Sequence, residues 1–569
     1  MRVKNTLVSS LISNRGLDKE EKKIYLSNNF IDLEKLQSFD KSFIRESQWL
    51  SNKFKGKNSI LKIYKKILNQ LSQDLNKFHG TKFSKNFWEM ILGPWCITFL
   101  DKYLENFHGI NEINYKNILY KYVDYNKNTF TPFDNKEFII FNSSHYWQNY
   151  ITKIVIDDHF KKKIILKKIK KKIVFDYSSM NNLYYYNSFI SKINLFFLKF
   201  SKILILNIPM SKITKIKFFL RLGHLGKIFF QNHYKIKKIS RQKFIQKFKC
   251  NNKGLDNNIY NRALENIPTM AVENFIELVS IIDKKFQKIQ PSKIFLTTGN
   301  IGNTEQLFFC ALKKEFGSKL IINQHGGRYN MLNKNWFEEY EKKICDNFIC
   351  WGLRGKKTAK TNYLGYPNKK LSQNLNSSNL LVALSPKNDF ELFSYNRNSI
   401  INKSFFYSLN YDFINKLDQN ISEKLFFRFK KNSRNYNSFY FTKKNLSSIK
   451  LDKYKNFSDS INNAKLVVTN FTSTVALETI TSNIPTILIS DLNENCYNKK
   501  TKTLIKLLKK NNLYFEDFHN ATIFINKNWD KIEYWWMLKK NQKTIDNFKK
   551  NYCYYDENYS TKLFKFLKN

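Results

Sequence analysis

Three short stretches carry side chains whose types and spacing suit chemistry on a phosphorylated substrate. In the first, Ala464-Lys465-Leu466-Val467-Val468-Thr469-Asn470-Phe471-Thr472-Ser473-Thr474-Val475-Ala476-Leu477-Glu478, an apolar strand runs into a hydroxyl-rich turn that opens a helix. The free N–H groups of such a helix start, with the hydroxyls of Thr472, Ser473 and Thr474, make a seat for phosphate oxygens. Asn470 closes the strand, and Glu478, about one turn along, can accept hydrogen bonds from ribose hydroxyls. An ordinary helix cap uses the same residue types; the stop at Asn483 before the Pro485 strand entry favours the phosphate reading. The second stretch, Gln324-His325-Gly326-Gly327-Arg328, ends another strand. Paired glycines let a backbone pass close to a ligand, and the imidazole can act as general base or donate to a phosphate. If His325 donates, the base is a carboxylate such as Glu338, Glu339 or Glu341, with Glu339 carried forward as the candidate. The third stretch, Leu425 to Lys431, delivers Arg428 and Lys430 to a strand end. P-loop, G-x-G-x-x-G, H-E-x-x-H and Asp-x-Asp patterns are all absent, which argues against a metal-dependent sugar transferase with paired carboxylates.

Residues so far apart in the chain meet only if the fold carries them to one cleft. After Pro291 the pattern predicts strand, helix, strand: 293–297, then a helix over 304–316, then 319–323 ending at the His325 motif, and a further strand over 347–351. The Leu364-Gly365-Tyr366-Pro367 turn leads into a polar connection over 368–379. A second series follows, with strands over 380–384, 424–430, 465–469 and 486–489 and a helix over 473–481. Strands alternating with helices predict parallel sheets, and two such series predict an α/β protein with two Rossmann-like lobes. Ligands bind beyond the carboxyl ends of such strands, where all three motifs fall. Earlier in the chain, Leu61, Ile63, Ile67, Leu71 and Leu75 recur at helical spacing, and the section to Tyr150 reads as mostly helical, punctuated at Gly93-Pro94-Trp95. The run Lys161 to Lys172 holds eight lysines; as a helix it shows a basic face, as a strand it is an edge. The expected organisation is an N-terminal lobe over 1–370 with a basic insertion at 153–248, a nucleotide-binding lobe over 380–535, and a helical tail over 536–569.

A length of 569 residues admits two to four domains. Lys and Arg total 97 against 46 Asp and Glu, a formal charge of +51, yet 42% of residues are hydrophobic and 16% aromatic, so the chain has material for packed cores. Only 11 of those cations are Arg. Lys abundant beside Asn, Ile, Phe and Tyr is what A- and T-rich codons produce, so much of the charge is solvated background; the rest is open to an anionic membrane face or to nucleic acid. Scarce Arg argues against specific nucleic-acid recognition. Seven scattered cysteines, none at C-x-x-C spacing, argue against a zinc ribbon and a secreted disulfide framework and fit the cytoplasm. The short patch from Leu7 to Ile12 makes a poor signal peptide. The stretch Ser188 to Met210, broken by Lys192, Lys199 and Lys202, suits lying on a bilayer better than crossing it.

His79-Gly80, Trp88, Leu92-Gly93-Pro94-Trp95, Thr297-Thr298-Gly299-Asn300, Gln324-His325-Gly326-Gly327, Trp351-Gly352 and Asn470 to Glu478, in that order, resemble a transferase family of bacterial O-antigen and surface-polysaccharide loci. The likeness runs from about Leu50 to Asp491 and implies a GT-B-like fold, a role in polysaccharide synthesis, and substrate contacts at Asn300, Gly326, Gly327 and Arg328. The C-terminal half is also similar to the CDP-glycerol glycerophosphotransferases of teichoic-acid synthesis. It shares His325-Gly326 and Gly365-Tyr366-Pro367, but has Asn470-Phe471-Thr472-Ser473 where they have Asp-Tyr-Ser-Ser, and Lys430-Lys431 where they have His-Pro.

Together these readings give a metal-independent GT-B-type glycosyltransferase of O-antigen or lipopolysaccharide synthesis that needs no cofactor. A nucleotide-sugar donor and a glycan or lipid-linked acceptor are its substrates, and it is cytoplasmic, with peripheral contact to the anionic inner membrane. Thr472 to Thr474 take the phosphate, Glu478 the ribose, Arg428 and Lys430 the leaving-group charge, and His325 the acceptor hydroxyl. Two rivals stand beside it: a CDP-polyol phosphotransferase sharing nearly every feature, and a non-enzymatic polyanion-binding protein that needs the charge but neither His325 nor Ser473.

Overall fold

Among the described residues, short apolar runs assemble into three sheets in which every strand pair is parallel. The computed structural model describes residues 5–9, 22–26, 59–115, 117–125, 129–170, 198–208, 210, 212–222, 241–252, 254–297, 303–353, 360–367, 370–374, 376–384, 409–428, 450–490, 492 and 494–569. Asn300, Lys430 and residues 171–197 and 223–240 of the basic insertion lie outside the described residues.

The first sheet joins β1 (Asn5–Val8), β2 (Lys22–Tyr25), β3 (Ile118–Val123) and β4 (Ile164–Ile169) in the order β2-β1-β3-β4. The described residues to Tyr150 are mostly helical, as expected, but β1, β2 and β3 add a sheet that the helical reading did not include. The apolar patch at Leu7 is a buried strand, and only its neighbours in the sheet, distant in sequence, reveal its period. The lysine-rich run is the edge strand β4, with Ile164 buried while Ile165, Lys167 and Lys168 face out. Lysines on an edge discourage pairing with further strands.

Two long helices, Ile60–His79 and Lys85–Asn111, underpin the first half. The second is apolar on all sides and almost wholly buried, as a helix surrounded by other elements must be. Gly93-Pro94 does not interrupt it. Proline has no N–H, so the Met90 carbonyl loses its helical donor; the Tyr340 hydroxyl donates to it instead at 2.8 Å. Gly93 lets the two elements meet, because a Cβ there would stand 2.9 Å from both the Tyr340 ring and Tyr64 Oη. His79 and Trp88 are packing residues: the imidazole lies 2.9 Å from the Ala271 carbonyl and stacks on Phe275 and Trp88.

The second sheet, in order β5 (Ile203–Ile205), β6 (Lys293–Leu296), β7 (Lys319–Asn323), β8 (Asn347–Cys350) and β9 (Thr361–Tyr363), is the core of the first Rossmann-like lobe. Leu320 and Ile322 face the helices Lys85–Asn111, Thr304–Glu315 and Trp336–Ile344. Phe295, Ile321 and Ile349 face the helix Lys212–Arg221 and the last helix of the chain, Tyr559–Lys568. The third sheet comprises β10 (Asn379–Ala383), β11 (Leu425–Phe427), β12 (Lys450–Leu451), β13 (Ala464–Asn470), β14 (Thr486–Ile489) and β15 (Tyr514–Phe515), in the order β12-β11-β10-β13-β14-β15. That is a doubly wound order, whose direction reverses between β10 and β13.

The helix Lys539–Tyr552 packs on the third sheet, and the chain then returns to the first lobe. Tyr366 N donates to Tyr554 O at 2.6 Å, Tyr554 N donates to Trp351 O at 3.0 Å, and Lys293 Nζ donates to the Leu567 carbonyl at 2.8 Å. Two parallel α/β lobes joined by a short connection and a returning tail form a GT-B-like architecture. Among the described residues, no helix is long and apolar enough to cross a membrane.

Candidate active site

At the reversal between β10 and β13 the strand ends open a crevice, where doubly wound sheets bind ligands. The turn Phe471-Thr472-Ser473 leaves β13 there and starts the helix Thr474–Thr481. Thr469 Oγ1 spans the crevice floor, donating to Ala383 O at 2.7 Å and lying 3.0 Å from Ser473 Oγ. Ser473 is the N-cap of that helix: its hydroxyl accepts from Ala476 N at 3.0 Å. The capping role therefore holds for Ser473, and it aligns the helix without closing off its first amides. Thr474 and Val475, both partly exposed, precede the first turn's own bonds, so their N–H groups point out of the helix end.

The first lobe meets this turn with the His325 loop. Gln324, nearly fully buried, ties the loop down: its Nε2 donates to Gly326 O at 2.8 Å and its Oε1 accepts from Trp351 N at 3.1 Å. A Cβ on Gly327 would overlap the Thr472 carbonyl oxygen, and one on Gly326 would stand 3.0 Å from Thr474 Oγ1. Only glycine permits so close an approach of two backbones. Arg328 follows with φ 71°, a left-handed conformation unusual for a side-chain-bearing residue, and its Nε donates to Thr472 Oγ1 at 3.3 Å. The clasp continues as Asn498 donates to the Asn330 and Met331 carbonyls and Leu332 bridges to Tyr497. His325, Gly326, Gly327, Arg328, Thr472, Ser473 and Thr474 thus share one corner, with Asn470 buried beneath it at the end of β13.

His325 keeps 34% of its side-chain surface open. Its Nδ1 lies 2.8 Å from Tyr329 Oη and 3.6 Å from Glu341 Oε1, while Tyr329 donates to Glu341 Oε2 at 2.6 Å. Recess among the loop atoms pushes the imidazole down to about 4, and with a third of the side chain still open it is neutral at pH 7. Burial beside Glu341 holds the Tyr329 phenol protonated.

The acids after the loop take separate places. Glu341, with no exposed surface, is the one coupled to His325. Glu338 is buried, capped against Asn330 N at 3.0 Å and paired with Lys342 at 2.5 Å. Glu339 is 42% exposed, 3.8 Å from Lys334, with its carboxyl raised by partial burial. No contact joins Glu339 to His325 among the described residues. Arg428 is engaged within its own lobe: its guanidinium reaches Asp452 at 2.6 Å, Ser460 at 2.7 Å and the Tyr454 carbonyl at 2.9 Å. Glu478 sits at the joint between lobes, where burial raises its carboxyl to about 7 against the opposing hydrogen bond of Tyr366. Among the described residues, no cluster of His, Cys, Asp and Glu is arranged to hold a metal ion. Tyr329 is the site residue that motif reading misses: it is one of 32 tyrosines, and only the left-handed turn at Arg328 and Asn330 brings it back to the imidazole.

A family model described as LIC12162 family transferase matches residues 11–567. No curated protein matches the chain. Among solved structures, similarity extends to S. aureus MnaA with UDP, at 12% identity over 65% of this chain and 96% of that one, with TM-score 0.38. A UDP-GlcNAc 2-epimerase from Neisseria meningitidis bound to UDP-GlcNAc matches at 9% identity, 67% and 96% coverage and TM-score 0.36. Acinetobacter baumannii MurG matches at 7% identity, 52% and 79% coverage and TM-score 0.30.

Proposed function

Because the chain belongs to the LIC12162 family of transferases, we propose that it moves a sugar from a nucleotide-activated donor to a hydroxyl of a glycan or lipid-linked acceptor in surface-polysaccharide synthesis. One observation carries this reading: the two glycines that follow His325 on one lobe lie against the hydroxyl turn that opens the helix Thr474–Thr481 on the other. The donor's phosphate sits at the Thr474 and Val475 amides, where the helix end favours negative charge. Arg328, reaching Thr472 from the opposite lobe, supplies the nearby cation, while Arg428 holds the segment around Asp452. Glu478 faces the ribose. The acceptor oxygen loses its proton to His325 and attacks the anomeric carbon, and the carbon–oxygen bond to phosphate breaks with its electron pair leaving on the nucleotide. Stabilising that leaving charge in a closed site is worth about 3–4 kcal/mol per well-placed donor, so the amides and Arg328 can act without a metal.

A basic, apolar surface supports contact with an anionic membrane. Phe200, Ile216 and Leu220 are 75%, 59% and 61% exposed. Lys202, Lys217 and Arg221 adjoin them in sequence, and Lys565 and Lys568 are exposed on the last helix, whose Phe564 packs against Arg221 and Phe218. This surface would hold the enzyme where lipid-linked acceptors lie.

The deciding experiment is a thermal-shift panel of CMP, CDP, UDP, GDP and dTDP, with and without EDTA. One nucleotide at 100 times its Kd should stabilise the fold by about 2.7 kcal/mol and survive chelation; no shift with any of them would sink the reading. His325→Ala should abolish transfer while leaving that shift intact.

A further inference from the structure

We propose that Tyr329 and Glu341 are positioning residues that fix the proton of His325 on Nδ1 and leave Nε2 bare as the accepting atom; this rests on His325 being the base of the proposed transfer. A tyrosine hydroxyl has one proton to give, and a carboxylate can only accept. Tyr329 directs its proton to Glu341 at 2.6 Å. The 2.8 Å contact between Tyr329 Oη and His325 Nδ1 must then be filled by a proton on the imidazole, donated to the phenol oxygen. Nε2, which makes no hydrogen bond among the described residues, carries the lone pair. When it takes the acceptor's proton, the imidazolium charge faces the Glu341 carboxylate, 3.6 Å from Nδ1.

Glu341 is held in place by features that otherwise have no part in the site. It lies on the helix Trp336–Ile344, whose start is capped by Asn335. That helix is anchored by its neighbour Tyr340, which donates to the Met90 carbonyl freed by Pro94 and packs where Gly93 has no side chain. Lys343 pairs with the buried Glu89, which also accepts from Tyr64 at 2.9 Å. The Gly93-Pro94 motif therefore locates the carboxylate that orients the base.

The test reads the tautomer directly and needs neither donor nor acceptor. In full-length protein with 15N-labelled histidine, the His325 signals, assigned by their loss in His325→Gln, should show a protonated Nδ1 and a bare Nε2 at pH 7. Glu341→Leu leaves Tyr329 only the imidazole to donate to, and should move the proton to Nε2. Glu341→Gln keeps a carbonyl acceptor and should preserve the wild-type pattern. Transfer should fall on the order of 10²–10⁴-fold in the leucine variant, the range of a general base, with the nucleotide thermal shift unchanged. A wild-type His325 protonated on Nε2, or a Glu341→Leu protein with the wild-type tautomer, would overturn the proposal; the wild-type spectrum decides alone if the leucine variant fails to fold. Should the tautomer stand but His325→Ala retain transfer, the assignment of His325 as base falls and the fixing of its proton on Nδ1 does not.

Discussion

Glu478 and His325 have shifted acidities of opposite consequence. The Glu478 carboxyl is raised to about 7 by burial, so between the ordinary carboxylate range and pH 7 the native state binds a proton that the unfolded chain has released. Stability must therefore fall as pH rises through that window. Glu478→Gln should flatten this part of the Tm-against-pH curve and raise Tm at pH 8 relative to wild type. A parallel curve for the variant would show that the carboxyl is not proton-linked to folding. His325, lowered to about 4, works on the acid side: it favours the native state above the ordinary histidine range and withdraws that support as pH drops toward 4. The candidate residues that the fold brings to one corner were legible where they stood in line, as in Gln324 to Arg328 and Thr472 to Thr474. Glu341 stood only as one of three candidate carboxylates, and Tyr329 was not singled out, because a partner defined by a turn's handedness has no linear signature.

Elements were more legible than contacts. The strand, helix, strand series after Pro291 agrees closely with β6 to β8 and with β10, β13 and β14, because buried parallel strands are continuous apolar runs bounded by turn residues. The first sheet was hidden, since β1 and β3 are short and pair across more than a hundred residues. Gly93-Pro94 looked like a helix break, yet burial on every side outweighed the roughly 3 kcal/mol that proline costs a helix, helped by the Tyr340 hydroxyl. Loop and turn act as one element at Gly327. Gly327→Ala places a methyl on backbone rather than on a movable side chain, so the lobes must part. It should lower stability by about 1–3 kcal/mol and abolish the nucleotide-induced thermal shift; a normal shift would mean that the two backbones need not touch for binding.

Across the molecule, a formal charge of +51 confers long-range attraction to any polyanion, so location has to come from a particular surface. Replacing Phe200, Ile216 and Leu220 by Glu changes that charge by only three and should abolish co-sedimentation with phosphatidylglycerol vesicles at 0.15 M salt, while the nucleotide shift persists. Retained co-sedimentation would assign binding to diffuse charge, worth about 1 kcal/mol for each lysine near the lipid.

The returning tail has a consequence for biogenesis. Tyr559, Leu563 and Leu567 cover part of the sheet face formed by Phe295, Ile321 and Ile349, so during synthesis that part, beside the helix Lys212–Arg221, waits uncovered while more than two hundred later residues are made. A lobe translated before its neighbour is thus completed after it, and any holdase that attends this protein on the ribosome has a defined apolar patch to shield until the helix Tyr559–Lys568 emerges.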